Sequence, residues 1–179
     1  YVCMTNTESV DGTTNTVIRT AEENKSEAIA AASKLNCDEV EFLPFKDLNV
    51  PFNFKSVSAL ESLIKKYNID TVYTHWAGDA NQDHIATFKT TMAAARYVPK
   101  VYCYEQIPIP RMSENQMDIN YYVDITDTFD NKILASLCHK SQIKKYKQHG
   151  FEVKENLETL AKFRGIQAKC TYAEAFKII

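Results

Sequence analysis

Apolar and turn-forming positions alternate along this chain so that short β-rich runs and longer helical patterns follow one another. Val2, Cys3 and Met4 make a strand-like run at the start, and a polar stretch over residues 5–16 follows it. Residues 17–35 set Ala28, Ile29, Ala32 and Leu35 on one face at helical spacing, with Asn36 as a natural stop. Residues 40–43 read as the next strand, and residues 44–53, with Pro44 and Pro51, as a loop. Val57, Leu60, Ile64 and Tyr67 then repeat every three or four positions, which predicts a second helix. A short strand over 70–74 runs into a polar segment, and a helix over 83–97 comes after it. The remaining pattern predicts strands over 100–105 and 120–125, a loop containing Pro108 and Pro110, one long helix over 127–146, and a last helix from residue 154.

Strands that alternate with helices of this length require crossover connections, which are right-handed and favour parallel pairing. The expected fold class is therefore α/β: a Rossmann-like three-layer sandwich with a mainly parallel sheet, forming a single domain over residues 1–179. In such folds ligands bind beyond the carboxyl ends of the strands.

Composition narrows the partners. With 45% hydrophobic and 25% charged residues, only 4 glycines and 5 prolines, the chain has the make-up of an element-rich globular protein. A net charge of −2 gives no overall electrostatic reason to bind nucleic acid or an anionic membrane, so a small-molecule partner is expected, and a homo-oligomer stays open. The five cysteines are odd in number and widely spread, which reads as reduced structural thiols in a cytoplasmic setting. No apolar run approaches the ~20 residues of a membrane-spanning helix.

Candidate chemistry concentrates in residues 74–84, Thr-His-Trp-Ala-Gly-Asp-Ala-Asn-Gln-Asp-His, between a strand and a helix. Two imidazoles and two carboxylates there suit a divalent metal or a proton transfer. They suit local structure equally well: Asp79 or Asn81 as a helix N-cap, and Asp83 as a first-turn acid, would stabilise the helix by ~1 kcal/mol without any ligand. A zinc site needs about three protein ligands and a water, and an Asp-His pair does not supply that by itself. His75 reads as a strand-end residue, and His139 and His149 as surface. Lys140, Lys144, Lys145 and Lys147 form a basic stripe opposite Phe129, Ile133, Leu137 and Ile143, the wet and dry faces of one helix. Arg19, Glu22, Glu23 and Glu27 read as the exposed face of the first helix. Arg111 and Glu114 sit in the long loop, which is either a lid over a substrate or a connection.

Several blocks in order along the chain resemble the PIG-L/LmbE-type zinc-dependent N-deacetylases. Residues 81–87, Asn-Gln-Asp-His-Ile-Ala-Thr, with Thr74-His75 and Gly78-Asp79 before them, are similar to that family's Asp-His-Arg-Ala-Thr block. Residues 101–105 resemble its V-x-x-Y-E strand, and residues 120–128 its strand-then-cap segment, followed by Lys140-Ser141-Gln142. Phe163-Arg164-Gly165 with Gln167, and residues 172–176, resemble its C-terminal signature.

The resemblance implies a zinc ion held by His84 together with the His and second Asp of an N-terminal His-Pro-Asp-Asp loop, whose first Asp is the general base. It also implies removal of acetate from an N-acetylglucosamine-type conjugate by metal-activated water. Departures accompany it. The 179 residues contain no His-Pro-Asp-Asp, so the chain is expected to begin at the family's second strand, without the first strand and helix and less stable for their loss. Asn81 stands where many members have a histidine, and Ile85 replaces an arginine. On this basis His84 is the expected metal ligand and Asp83 its supporting carboxylate, with Asp79, Asn81 and Arg111 as substrate contacts. The alternatives are a non-catalytic sugar-binding relative of the same fold, and an unrelated nucleotide binder, which the absence of any G-x-G-x-x-G or P-loop pattern disfavours.

Overall fold

The structure is a computed structural model that describes residues 1–179 except positions 7, 12, 13, 15 and 108–116. The described chain is α/β. Its elements are β1 (Val2–Thr5), β2 (Ser9–Val10), β3 (Val17–Arg19), α1 (Ala21–Lys34), β4 (Glu41–Phe45), α2 (Phe54–Lys66), β5 (Thr71–Thr74) and α3 (Gln82–Ala94). After these come β6 (Lys100–Tyr104), β7 (Tyr121–Asp124), α4 (Phe129–Ser136), α5 (Lys140–Gln148), α6 (Val153–Ala168) and β8 (Ala173–Ile178). They group into two compact units, one of residues Tyr1–Leu48 with Asp124–Ala173 and the other of Asn49–Val123 with Glu174–Ile179.

In the first unit β1 pairs in parallel with β4, which needs a crossover connection such as the one through α1, and Ala28, Ala31 and Ala32 of α1 are buried, as are Leu43 and Phe45 of β4. Phe129, Ile133 and Ala135 of α4 and Ala161 of α6 complete its core. The first helix begins later than its apolar spacing predicts. Val17-Ile18-Arg19 instead pairs antiparallel with Ser9-Val10, which suits β-branched residues, and Thr20 starts α1 through a capping box with Glu23. The long helix expected over 127–146 is two helices. Cys138 and His139 donate to carbonyls only three residues back, and the Ser141 backbone N–H donates to Glu27 Oε1 at 2.8 Å, so the i→i−4 ladder stops between α4 and α5. The same contact alters the reading of two residues. Glu27 is not an exposed charge, because its side chain is 12% accessible and lies 3.6 Å from the equally buried Arg19, and His139 is half-buried beside them.

In the second unit the strand order is β5-β6-β8-β7. The β5–β6 pair is parallel, with Thr71 opposite Lys100 and Thr74 opposite Cys103, whereas β6 and β8 run antiparallel with Tyr102 opposite Ile178. The alternation of Ala173, Ala175 and Lys177 with Glu174, Phe176 and Ile178 is a strand that the sequence analysis did not assign. Helices α2 and α3 pack on each other, and Leu60, Ala94, Val101 and Cys103 are buried in this unit.

At Gly165 a neighbouring stretch of backbone lies against the helix. Lys169 adopts the left-handed conformation (φ 61°) at the end of α6 and turns the chain back over the helix, so the Cys170 N–H reaches the Gly165 carbonyl at 2.9 Å. A Cβ at position 165 would meet the carbonyl oxygens of Thr171 at 2.5 Å and Cys170 at 2.7 Å. Both are backbone atoms that cannot swing away. Gly165→Ala is therefore expected to cost ~2–3 kcal/mol by overpacking, read as a lower midpoint in urea at unchanged slope. A midpoint equal to that of the parent protein would show that the turn yields freely.

Candidate functional site

The parallel β5–β6 pair ends with its two strands in register, so the residues that follow each strand emerge side by side at the carboxyl edge. His75 follows β5, and Tyr104 and Gln106 lie at the end of β6. Helix α3 starts a few residues beyond His75 and places His84 in its first turn. Asn81 is the N-cap, its side-chain oxygen accepting from the N–H groups of Asp83 (2.8 Å) and His84 (3.4 Å).

These elements bring His75, Asp79 and His84 together, each able to offer one ligand atom, with those atoms within 4.8 Å of one another. The two imidazoles stack, with centroids 4.0 Å apart and planes 6° from parallel. Asp79 holds His84: its Oδ2 accepts from His84 Nδ1 at 2.8 Å, while its Oδ1 accepts the Asn81 N–H at 2.7 Å. With its side chain only 7% accessible, Asp79 is a buried acceptor fixed from two sides. Gln106 Oε1 lies 2.9 Å from His75 Nδ1. Burial, reinforced by the adjacent His84 ring, pushes the His75 imidazole down to about 4.

That depression links the site to stability. Below its ordinary value of 6.5 an unfolded-state His75 takes a proton that the folded state refuses until about pH 4, so stability falls as pH drops through this window and is fully present above it. In metal-free protein the loss is expected to reach roughly 3 kcal/mol at the acid end, measured as the difference in unfolding free energy between the parent and His75→Asn across pH 4–7. Parallel pH curves for the two proteins would refute it.

The remaining residues singled out in the sequence fall as follows. Asp83 Oδ1 accepts the Val50 N–H at 3.0 Å, and with Thr90 Oγ1, 3.4 Å from the Pro51 carbonyl, it ties the loop before α2 to α3. Asn81 turns its amide oxygen to the helix backbone. Arg111 lies outside the described residues. Tyr104 is the tyrosine of the V-x-x-Y-E resemblance, to which no site role was given, and Gln106 follows it unmarked; strand register brings both to His75, because once Thr74 opposes Cys103 the residues just beyond them are neighbours.

Chemically the group offers two imidazole nitrogens and a carboxylate at the carboxyl end of parallel strands, the donor set of a divalent transition metal such as zinc. No helix among the described residues is long and apolar enough to cross a membrane.

Known proteins bear on this geometry. The uncharacterised deacetylase YaiS of Escherichia coli (strain K12) is 34% identical over 77 residues, a match covering 40% of this chain and 42% of that protein, so the chain spans about two fifths of the relative's length. Among solved structures, the N,N'-diacetylchitobiose deacetylase of Pyrococcus horikoshii superposes with a TM-score of 0.73 at 20% identity, covering 100% of this chain and 72% of the other. The 4-carboxy-2-hydroxymuconate hydratase GalB of Pseudomonas putida KT2440 superposes at 0.78 and 22% identity, covering 99% and 82%. At such identities the likeness establishes the fold, which evidently houses both a deacetylase and a hydratase. The profile of the PIG-L family, described as GlcNAc-PI de-N-acetylase, matches residues 1–95, the half of the chain that includes β5, His75, Asp79 and His84. The chain belongs to the PIG-L family of deacetylases.

Proposed function

We propose that the protein takes part in zinc-dependent hydrolysis of the acetamide of an N-acetylglucosamine-type sugar conjugate. The observation that carries this reading is the His75–Asp79–His84 group at the strand ends of a PIG-L chain. His84 is the ligand that the resemblance implies, and ligand atoms of His75 and Asp79 lie within 4.8 Å of it, which supports the reading. Such a metal, when bound, acidifies a water and polarises the amide carbonyl. The chain's own groups prepare the place for it. Asp79 accepts the His84 Nδ1 proton, which leaves Nε2 with its lone pair, and buried His75 stays neutral at physiological pH and so remains a donor of electrons rather than a cation. Asn81 and Asp83 hold the first turn of α3 and the loop before α2, and thereby fix where the His84 ring stands. The general base of the family's reaction belongs to the His-Pro-Asp-Asp block, which these 179 residues do not contain, and no residue is assigned to that role here.

The test is metal analysis after chelation and reloading with zinc, joined to an assay of free amine and acetate from N-acetylglucosamine conjugates. One zinc per chain with release of both products supports the proposal. Saturable sugar binding with neither metal nor product would favour the sugar-binding relative instead, and hydration of an unsaturated carboxylate would move the protein toward the hydratase that shares its fold.

A further inference from the structure

The parallel stack of the two imidazoles separates their roles. An imidazole binds a metal through a nitrogen lone pair lying in the ring plane, with the ion about 2 Å from the nitrogen. The rings of His75 and His84 are 6° from parallel with centroids 4.0 Å apart. Planes so nearly parallel do not converge near the rings. An ion in the plane of His84 therefore stands about 3.5 Å, the contact distance of two stacked rings, from the plane of His75, which is farther than the bond allows. One ion cannot take both rings as in-plane ligands. What His75 does offer is a flat surface that is itself held firmly. The Tyr104 hydroxyl oxygen lies 3.0 Å from its Nδ1 and 3.1 Å from its Nε2, with the two rings inclined at 62°. An oxygen equally near both nitrogens cannot lie in the imidazole plane, because the carbon between them stands in the way. The hydroxyl therefore sits over one face of His75, and the stacked His84 ring covers the other. Gln106 meets the edge of the same ring, its side-chain oxygen 2.9 Å from Nδ1.

We infer that His75 is a positioning residue rather than a ligand: its ring braces one face of His84 while Asp79 holds the Nδ1 edge, so that a metal at His84 Nε2 meets a ring fixed in two directions. The inference rests on the proposed metal-binding reading for its purpose, but the brace is a property of the metal-free chain. The Asp79 bond of 2.8 Å fixes one edge of His84, and an edge bond alone lets a ring rock about the axis of that bond. A second ring lying flat against its face stops the motion. Tyr104 and Gln106 in turn hold the brace, and they stand at or just beyond the end of β6, beside the strand that His75 follows, so the support for His84 is anchored on the sheet.

His75→Ala and His75→Phe in the full chain test this, with zinc(II) affinity measured by competition against a chelator and the His84 ring protons followed by nuclear magnetic resonance in metal-free protein. In the parent those protons are expected to be shifted upfield by the ring stacked on them. His75→Ala is expected to lose that shift and to weaken zinc binding ~10–100-fold, as the removal of a ligand's supporting partner does. His75→Phe keeps a flat ring but has no nitrogen to bind a metal. It is expected to retain the shift and to recover most of the affinity, a rescue that a ligand at position 75 would not show. Zinc affinity in His75→Phe reduced as far as in His75→Ala makes His75 a ligand and overturns the inference. His75→Ala with the shift and the affinity of the parent overturns it too. A chain whose His84 shift is lost in His75→Ala and kept in His75→Phe, but which binds no zinc, upholds the brace and removes the metal reading, so the two failures are told apart.

Discussion

His84→Ala is expected to abolish stoichiometric zinc binding and to lower amide hydrolysis at least roughly 1,000-fold. The reasoning is that a metal ion contributes several kcal/mol of charge stabilisation in such a reaction, and each 1.36 kcal/mol is a factor of ten in rate. The fold should survive the change. The first turn of α3 is capped by the Asn81 side chain through the backbone N–H groups of positions 83 and 84, which alanine keeps, and Asp79 retains its bond from the Asn81 N–H. Far-ultraviolet circular dichroism together with zinc content separates loss of the ligand from loss of the helix. Asp79→Asn should fall between parent and His84→Ala, because it keeps the size of the side chain but exchanges an ionised acceptor for a neutral one. Should His84→Ala hold one zinc per chain and turn over at the parent rate, His84 is no ligand.

The largest stability effect is expected far along the sequence from this group, at Glu27. Its carboxylate accepts from the Ser141 N–H at 2.8 Å and from the Ser141 hydroxyl at 2.6 Å, and it is the charge partner of Arg19 at 3.6 Å. Both charged side chains are 12% accessible, and Arg19 Nε is already buried without a hydrogen-bond partner. Glu27→Ala leaves a largely buried guanidinium without its counter-charge and frees the N–H that opens α5. Removing one member of such a pair costs about 3–5 kcal/mol, which for a chain of this size lowers the melting temperature by roughly 10 °C or more. Glu27→Gln keeps an acceptor for Ser141 and should lose about half as much. Equilibrium denaturation measures both, and a Glu27→Ala loss below ~1 kcal/mol would mean that water replaces the carboxylate at little cost.

The same residue shows where reading the sequence reaches its limit. By spacing, Glu27 shares a helix face with Glu23 and looks solvated, and nothing local says that a serine 114 positions later will donate to it. The break between α4 and α5 has the same cause. Apolar spacing over residues 127–146 continues at helical period, and only the competing acceptor from α1 draws the Ser141 N–H off the ladder. The β3 strand was hidden because Val17 and Ile18 suit a helix face as readily as a strand, and their antiparallel partners Ser9 and Val10 lie in a stretch of polar residues. By contrast β5, β6, α2 and α3 were legible, because each has apolar residues at one clear period and a capping or turn residue near its ends.

At the site the division is similar. The family resemblance implied a metal ligand at His84, and residue types placed a cap at Asp79 or Asn81, since capping is a property of a strand-to-helix turn. Which carboxylate serves the imidazole was not local information. Asp79 and Asp83 lie five and one residues before His84, and only the path of the chain between β5 and α3 turns Asp79 onto the ring while Asp83 bonds to Val50. His75, Tyr104 and Gln106 meet because two parallel strands end in register, a relation between segments about thirty residues apart. The amino-acid sequence by itself determined the alternation of strands and helices and the chemical content of residues 74–84, because periodicity, capping and residue type act within a few positions, and its ordered motif blocks carried the resemblance to the family. The tertiary structure alone decided the partners: which groups are buried and which side chains each imidazole meets. Those follow from hydrogen bonds and packing between segments distant in the chain, whose strength depends on the exclusion of water that only the folded state provides.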